Sequence, residues 1–146
     1  MKHFYHLLFF IVLALSACTK TNEEDLLPPP PETDVNFDLD EVPYAKLSDY
    51  RFFIGDIKNM EPNERVIPYE PITPLFSDYA HKKRFIWMMP GTSANYVNDT
   101  SLLDFPNGTV FIKNFYYDSV QPLNNRRILE TRLLIKKNGE WIFADY

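Results

Sequence analysis

Few side chains in the 146 residues are equipped for chemistry, and their spacing decides which chemistry is open to them. Ser77, Asp78 and His81 lie close together and hold the residue types of a hydrolase triad. A triad needs a base that touches the nucleophile on one side and a carboxylate on the other, beside an oxyanion hole, and no Gly-x-Ser-x-Gly elbow presents Ser77. Ser77 or Asp78 is therefore expected to cap a turn that contains His81. Glu64, Glu70, Asp78, Asp104 and Glu130 offer carboxylates for glycoside cleavage, but nothing selects two of them as a pair. Lys82-Lys83-Arg84, with Arg126-Arg127 and Arg132, resemble a phosphate or nucleic-acid surface. Beside an apolar run starting at Phe85 they read better as charges that guard a strand against aggregation, and nucleic acid is not an expected partner. The stretch from Lys46 onward carries 17 Phe, Tyr and Trp residues. With so few Leu and Val, most must fill a core, leaving Trp87, Tyr96, Tyr116 or Tyr117 to stack on a ligand such as a sugar ring. On these grounds no catalytic, cofactor-binding or metal-binding residue is assigned.

The one residue with a defined covalent role is Cys18. A lone Cys rules out an intramolecular disulfide, a multi-Cys zinc site and a Cys-x-x-Cys-His haem attachment within this chain. It follows Met1-Lys2-His3 and an apolar run from Leu7 to Ala17, which is too short to cross a bilayer core of roughly 30 Å as a helix and reads as a signal-peptide core. The ending Leu15-Ser16-Ala17-Cys18 resembles the bacterial lipobox, in which the thiol receives a diacylglycerol and the Cys becomes the first residue of the mature protein. The expectation is a palmitate-type lipid anchor on Cys18 after removal of residues 1–17. The protein would then sit in the bacterial cell envelope as an outer-membrane lipoprotein facing the periplasm or the cell surface, held by acyl chains and not by a spanning helix. Cleavage removes His3 and His6, leaving His81 as the single histidine, so a site built on two histidines is closed to a monomer.

Behind the anchor the composition changes twice. Residues 19–45 carry eight acids against Lys20 and include the run Pro28 to Pro31, whereas residues 46–146 carry 13 Lys and Arg against 12 acids. The acidity thus belongs to a segment expected, over 18–45, to be a Pro-rich tether unable to bury enough surface to fold. Lys20 with Glu23-Glu24-Asp25 also resembles the acidic export tags of Bacteroidetes surface lipoproteins.

Residues 46–146 are expected to form a β-rich domain. Asn138-Gly139 is a type I′ turn signal, and a two-residue loop there pairs Lys137 with Glu140, Ile135 with Ile142, Leu134 with Phe143 and Arg132 with Asp145. Apolar residues on both faces of that ribbon place it inside a sheet. Asn107-Gly108 is a second hairpin signal, Thr109 to Tyr117 and Arg84 to Met89 read as strands, and Val66-Ile67 with Tyr69 as a short edge strand. Ser48 is expected to cap a short helical turn toward Phe53. The fold class is mainly β: a sandwich-like antiparallel sheet with one or two short helices, and Tyr146 ends the chain within a strand that either closes a compact domain or leaves the sheet incomplete at the C-terminus. The chain reads as the front part of a longer protein.

The blocks at 66–92, 103–117 and 130–146, above all Thr73-Pro74-Leu75-Phe76-Ser77-Asp78-Tyr79-Ala80 and Phe111-Ile112-Lys113-Asn114-Phe115-Tyr116-Tyr117, resemble the N-terminal region of a family of exported bacterial lipoproteins of unknown function whose longer members are described as di-haem c-type cytochromes. The resemblance implies a β domain associated with haem electron transfer and an envelope redox partner. The family's haem motif lies downstream of the matching region, so no haem residue carries over to this chain, which is expected to hold no cofactor of its own. The other function kept open is a surface lipoprotein module that binds a glycan or another envelope protein. Aromatics gathered on one exposed face would favour that second function.

Overall fold

Period-two burial builds the sheet. Phe85 and Trp87, then Val110, Ile112 and Asn114, then Thr131, Leu133 and Ile135, are all buried at alternate positions, so three consecutive strands turn the same face inward. In the computed structural model, which describes residues 34–146, these strands belong to one five-stranded antiparallel meander. Its order is β1 (Ile67–Tyr69), β2 (His81–Trp87), β3 (Val110–Val120), β4 (Asn125–Lys137) and β5 (Glu140–Asp145). The chain is mainly β, as expected. The helical content among the described residues is two single 3-10 turns, Leu47–Tyr50 and Ile57–Asn59. Ser48 caps neither: it lies inside the first turn, whose N-cap Lys46 makes no side-chain cap bond, while Asp56 caps the second by accepting from the Lys58 N–H.

The β4–β5 hairpin has the expected register from Lys137↔Glu140 to Arg132↔Asp145, and Asn138 and Gly139 both hold positive φ (52° and 79°), as type I′ requires. It lies at the sheet edge, not in its interior, because β5 pairs with β4 alone among the described strands. Asn107-Gly108 is not a hairpin: Gly108 alone has positive φ (85°), and the Thr109 N–H donates to the Pro106 carbonyl, so a turn leads from the preceding loop into β3. The Gly108 N–H and Thr109 carbonyl then bond to Lys136, extending the β3–β4 ladder.

The second layer is irregular chain. Val35, Val42, Tyr50, Phe52, Met60 and Val66 are buried and share one core with the inner face of the sheet. This corrects the tether boundary: residues 34–45, expected to be unfolded, belong to the domain. Val35, Phe37 and Leu39 alternate with residues exposed to solvent, and Val42 is only 2% exposed. Acid density dominated the composition of this strap, but Asp34, Asp38, Asp40 and Glu41 all face water while the apolar residues pack. Polar clips fix the strap. Lys137 Nζ donates to the carbonyls of Asp40 and Val42, both at 3.0 Å, and the Tyr146 hydroxyl donates to the Tyr44 carbonyl at 2.6 Å. The expected signal peptide, Cys18 and the rest of the tether lie outside the described residues.

Candidate functional site

The outward side chains of the same strands alternate with the buried ones, and the register lines them up in rows. Arg84 on β2 faces Lys113 on β3, and Lys113 faces Arg132 on β4. One row along, Ile86 faces Phe111, Phe111 faces Leu134, and Leu134 faces Phe143. Tyr69 on β1 pairs with Arg84 and closes the side. Between these rows lies a shallow depression of about 440 Å³ with Tyr69, Arg84, Phe111, Lys113, Arg132 and Phe143 in its lining. Phe111 is its apolar floor, held edge-on by Tyr69 (5.9 Å between ring centroids) and by Phe105 (5.0 Å), with Trp141 at 5.5 Å behind. Phe143 stands at the rim, 77% exposed.

The three cations are not equivalent. Arg132 donates from Nε and Nη2 to the Glu130 carboxylate at 2.6 and 3.1 Å and lies 3.8 Å from Asp145. Lys113 sits over the Phe115 ring, 4.6 Å from its centroid, and its pKa is lowered by partial burial and by the neighbouring charges of Arg84, Lys82 and Arg132. Burial raises the pKa of Tyr69, partly offset by Arg84. The face therefore presents side-chain cations and ring faces with no reactive constellation. Such an arrangement suits recognition of an anion beside an apolar surface.

The expected chemical residues fall elsewhere. The Ser77 hydroxyl donates to the Ala80 carbonyl at 2.6 Å and closes a turn, while the His81 ring stacks on Tyr116 with centroids 5.4 Å apart, so the two serve local structure. The basic cluster divides. Lys82, Arg84 and Arg132 reach the outer face and Lys83 turns to the inner one, lying 5.4 Å from the Phe85 ring. Arg126 braces the β3–β4 hairpin, bonding Asp118 at 2.7 Å and the Lys58 carbonyl at 3.0 Å. Trp87 belongs to the core at 2% exposure and cannot stack on a ligand, whereas Tyr96 and Tyr117 are exposed but lie apart from the depression. Lys113, Tyr69, Phe111 and Phe143 stand outside the candidate residues that the sequence offers. Their signal was present in the alternation Phe111, Lys113, Phe115, which puts an aromatic, a cation and an aromatic on one face of a strand. Among the described residues no cluster of His, Cys, Asp and Glu has metal-binding spacing, and no helix is long and apolar enough to cross a membrane.

Comparison with family models, curated proteins and solved structures finds no match to this chain.

Proposed function

We propose that this protein is a lipid-anchored module of the bacterial cell envelope that binds a glycan on the outer face of its sheet. One observation carries the reading: Tyr69, Phe111, Trp141 and Phe143 gather on the face that the irregular layer leaves uncovered, around a depression lined by cations. Aromatic planes recognise sugars by covering the apolar side of the ring, and a depression open to solvent admits one unit of a longer chain. The lipobox-like ending at Cys18 supplies the anchor in this reading. A glycan array probed with the full chain tests it. Retention of glycans by the wild type and its loss in Tyr69→Ala/Phe143→Ala is the expected outcome, and equal retention by both proteins would refute the reading.

A second reading, docking onto a haem-carrying envelope protein, follows from the family resemblance and is favoured by the loop after β1. There Ile72, Leu75, Phe76 and Tyr79 are all at least 79% exposed, an apolar surface open to a protein partner. The chain's own residues do not fit covalent haem, since two thiols are needed and Cys18 stands alone in the sequence. In that reading the haem belongs to the partner.

A further inference from the structure

We propose that the depression over Arg84, Lys113 and Arg132 is a subsite for a uronic-acid unit of an acidic glycan, its carboxylate seated on Arg84 and Lys113 and its ring against Tyr69 and Phe143. The inference rests on the glycan-binding reading and names the class of sugar. It starts from an arrangement the fold alone does not favour. Like charges placed directly opposite on neighbouring strands are destabilising, and here two such pairs, Arg84↔Lys113 and Lys113↔Arg132, lie side by side. Glu130 and Asp145 compensate Arg132. Among the described residues no carboxylate lies within 4.0 Å of Arg84 or Lys113. Arg84 and Lys113, the latter partly dehydrated and with its ammonium 4.6 Å from the Phe115 ring centroid, thus line a depression that Tyr69, Phe111 and Phe143 share with Ile112, Leu133 and Leu134. A bound carboxylate would relieve their repulsion and accept charge-assisted hydrogen bonds from both.

The rest of the lining selects among anions. β2, β3 and β4 are each paired on both sides, so their backbone groups are engaged in the ladder and the face recognises its ligand through side chains alone. That suits a rigid ring bearing a carboxylate better than an extended peptide, which gains affinity from main-chain pairing at a free edge. Glu130 and Asp145 beside the row can accept bonds from sugar hydroxyls and would repel the second charge of a phosphate. Residues 34–146 carry 16 acids against 13 Lys and Arg, so an acidic polymer would be recognised at this row against an unfavourable background and not by bulk attraction.

The test is calorimetric titration of the full chain, held in detergent micelles, with oligomers of galacturonate, glucuronate and mannuronate. Their methyl esters, neutral oligosaccharides, inorganic phosphate and poly-glutamate form the other arms. Expected is binding of at least one uronate oligomer, lost on esterification and weakened about tenfold or more by Arg84→Gln or Lys113→Gln. Arg127→Gln on the distant hairpin should bind as the wild type does. Lys113→Gln removes a repulsion and should melt no lower than the wild type, which separates lost binding from lost folding. Failure of all three uronates, equal binding of the esters, or unweakened binding by both variants overturns the proposal. Neutral oligosaccharides bound through Tyr69 and Phe143 would overturn it while leaving the glycan-binding reading intact. Preference for poly-glutamate would assign the row to an acidic protein surface and overturn both.

Discussion

Tyr50 joins the two layers through a ring and a hydroxyl. The ring stacks on Phe52 (4.9 Å between centroids) and meets Tyr146 edge-on, while the hydroxyl accepts from the Tyr44 N–H at 2.9 Å and, since the Tyr146 proton goes to the Tyr44 carbonyl, donates to the Tyr146 oxygen at 3.3 Å. Burial, reinforced by the hydrogen bond with Tyr146, pushes its pKa above the ordinary tyrosine range. The unfolded chain releases this proton near pH 10, the folded protein only higher. The resulting stabilisation is therefore fully present below about pH 10 and is lost as pH rises beyond it. Tyr50→Phe should lower stability by about 1–3 kcal/mol at neutral pH, because the Tyr44 N–H loses its acceptor, and should flatten the alkaline limb. Denaturant melts from pH 7 to 11.5 check both effects, and an alkaline limb unchanged in the mutant would mean that other groups set it. Lys113 carries the opposite sign. Its folded-state pKa is depressed, chiefly by burial and then by Arg84, Lys82 and Arg132 against the weaker opposing pull of Glu130. Holding it charged costs stability at neutral pH, and that cost is relieved as pH rises through the lowered value toward the ordinary lysine range. Lys113→Gln should remove this alkaline gain, which the same titration measures.

Two glycines separate turn geometry from packing at the level of the elements. At Gly139 (φ +79°) a Cβ would meet no heavy atom within 4 Å, so Gly139→Ala tests the left-handed conformation alone and should cost roughly 1–2 kcal/mol. Gly108 (φ +85°) is buried, and a Cβ there would run into the Met89 side chain. Gly108→Ala should therefore cost more than Gly139→Ala, and equal shifts in denaturant midpoint would show that Met89 re-seats freely. The two Asn-Gly pairs also show how much of the fold was legible. Asn138-Gly139 announced its hairpin because strand pattern stands on both sides of it, and every pair from Lys137↔Glu140 to Arg132↔Asp145 forms. Asn107-Gly108 carried the same local signal, but irregular chain precedes it, and a turn with one positive φ satisfies the backbone there. The outer face was half-legible for a related reason. Apolar residues on both sides of β4 and β5 predict burial on both sides, yet Leu134 and Phe143 lie on the face without a second layer. Periodicity tells which residues share a face but not which face is covered.

For the whole molecule, the displaced boundary changes what a protease should find. With Val35 and Val42 in the core, limited digestion should leave a resistant fragment beginning near Asp34, and mass spectrometry of that fragment distinguishes this from a start near Lys46. Deletion of residues 34–45 should unfold the domain, since it removes those side chains together with the carbonyls that receive Lys137 and Tyr146. The proposed anchor predicts that Cys18→Ser abolishes incorporation of a palmitate analogue in metabolic labelling, and equal label in mutant and wild type would exclude it. In the anchored form so proposed, the 16 residues from Cys18 to Asp34 span at most about 55 Å when fully extended, an upper bound on the distance between the lipidated Cys and the start of the domain. Strap and sheet together then have a mechanical consequence. Tension applied through the amino-terminal side enters the fold at the strap, where the Asn36 N–H bonds the Tyr50 carbonyl at 2.9 Å and the Lys137 ammonium grips two carbonyls further along. Under pulling from that side, these clips bear load before any sheet ladder does, so the strap works as a fuse and should peel ahead of the five-stranded meander.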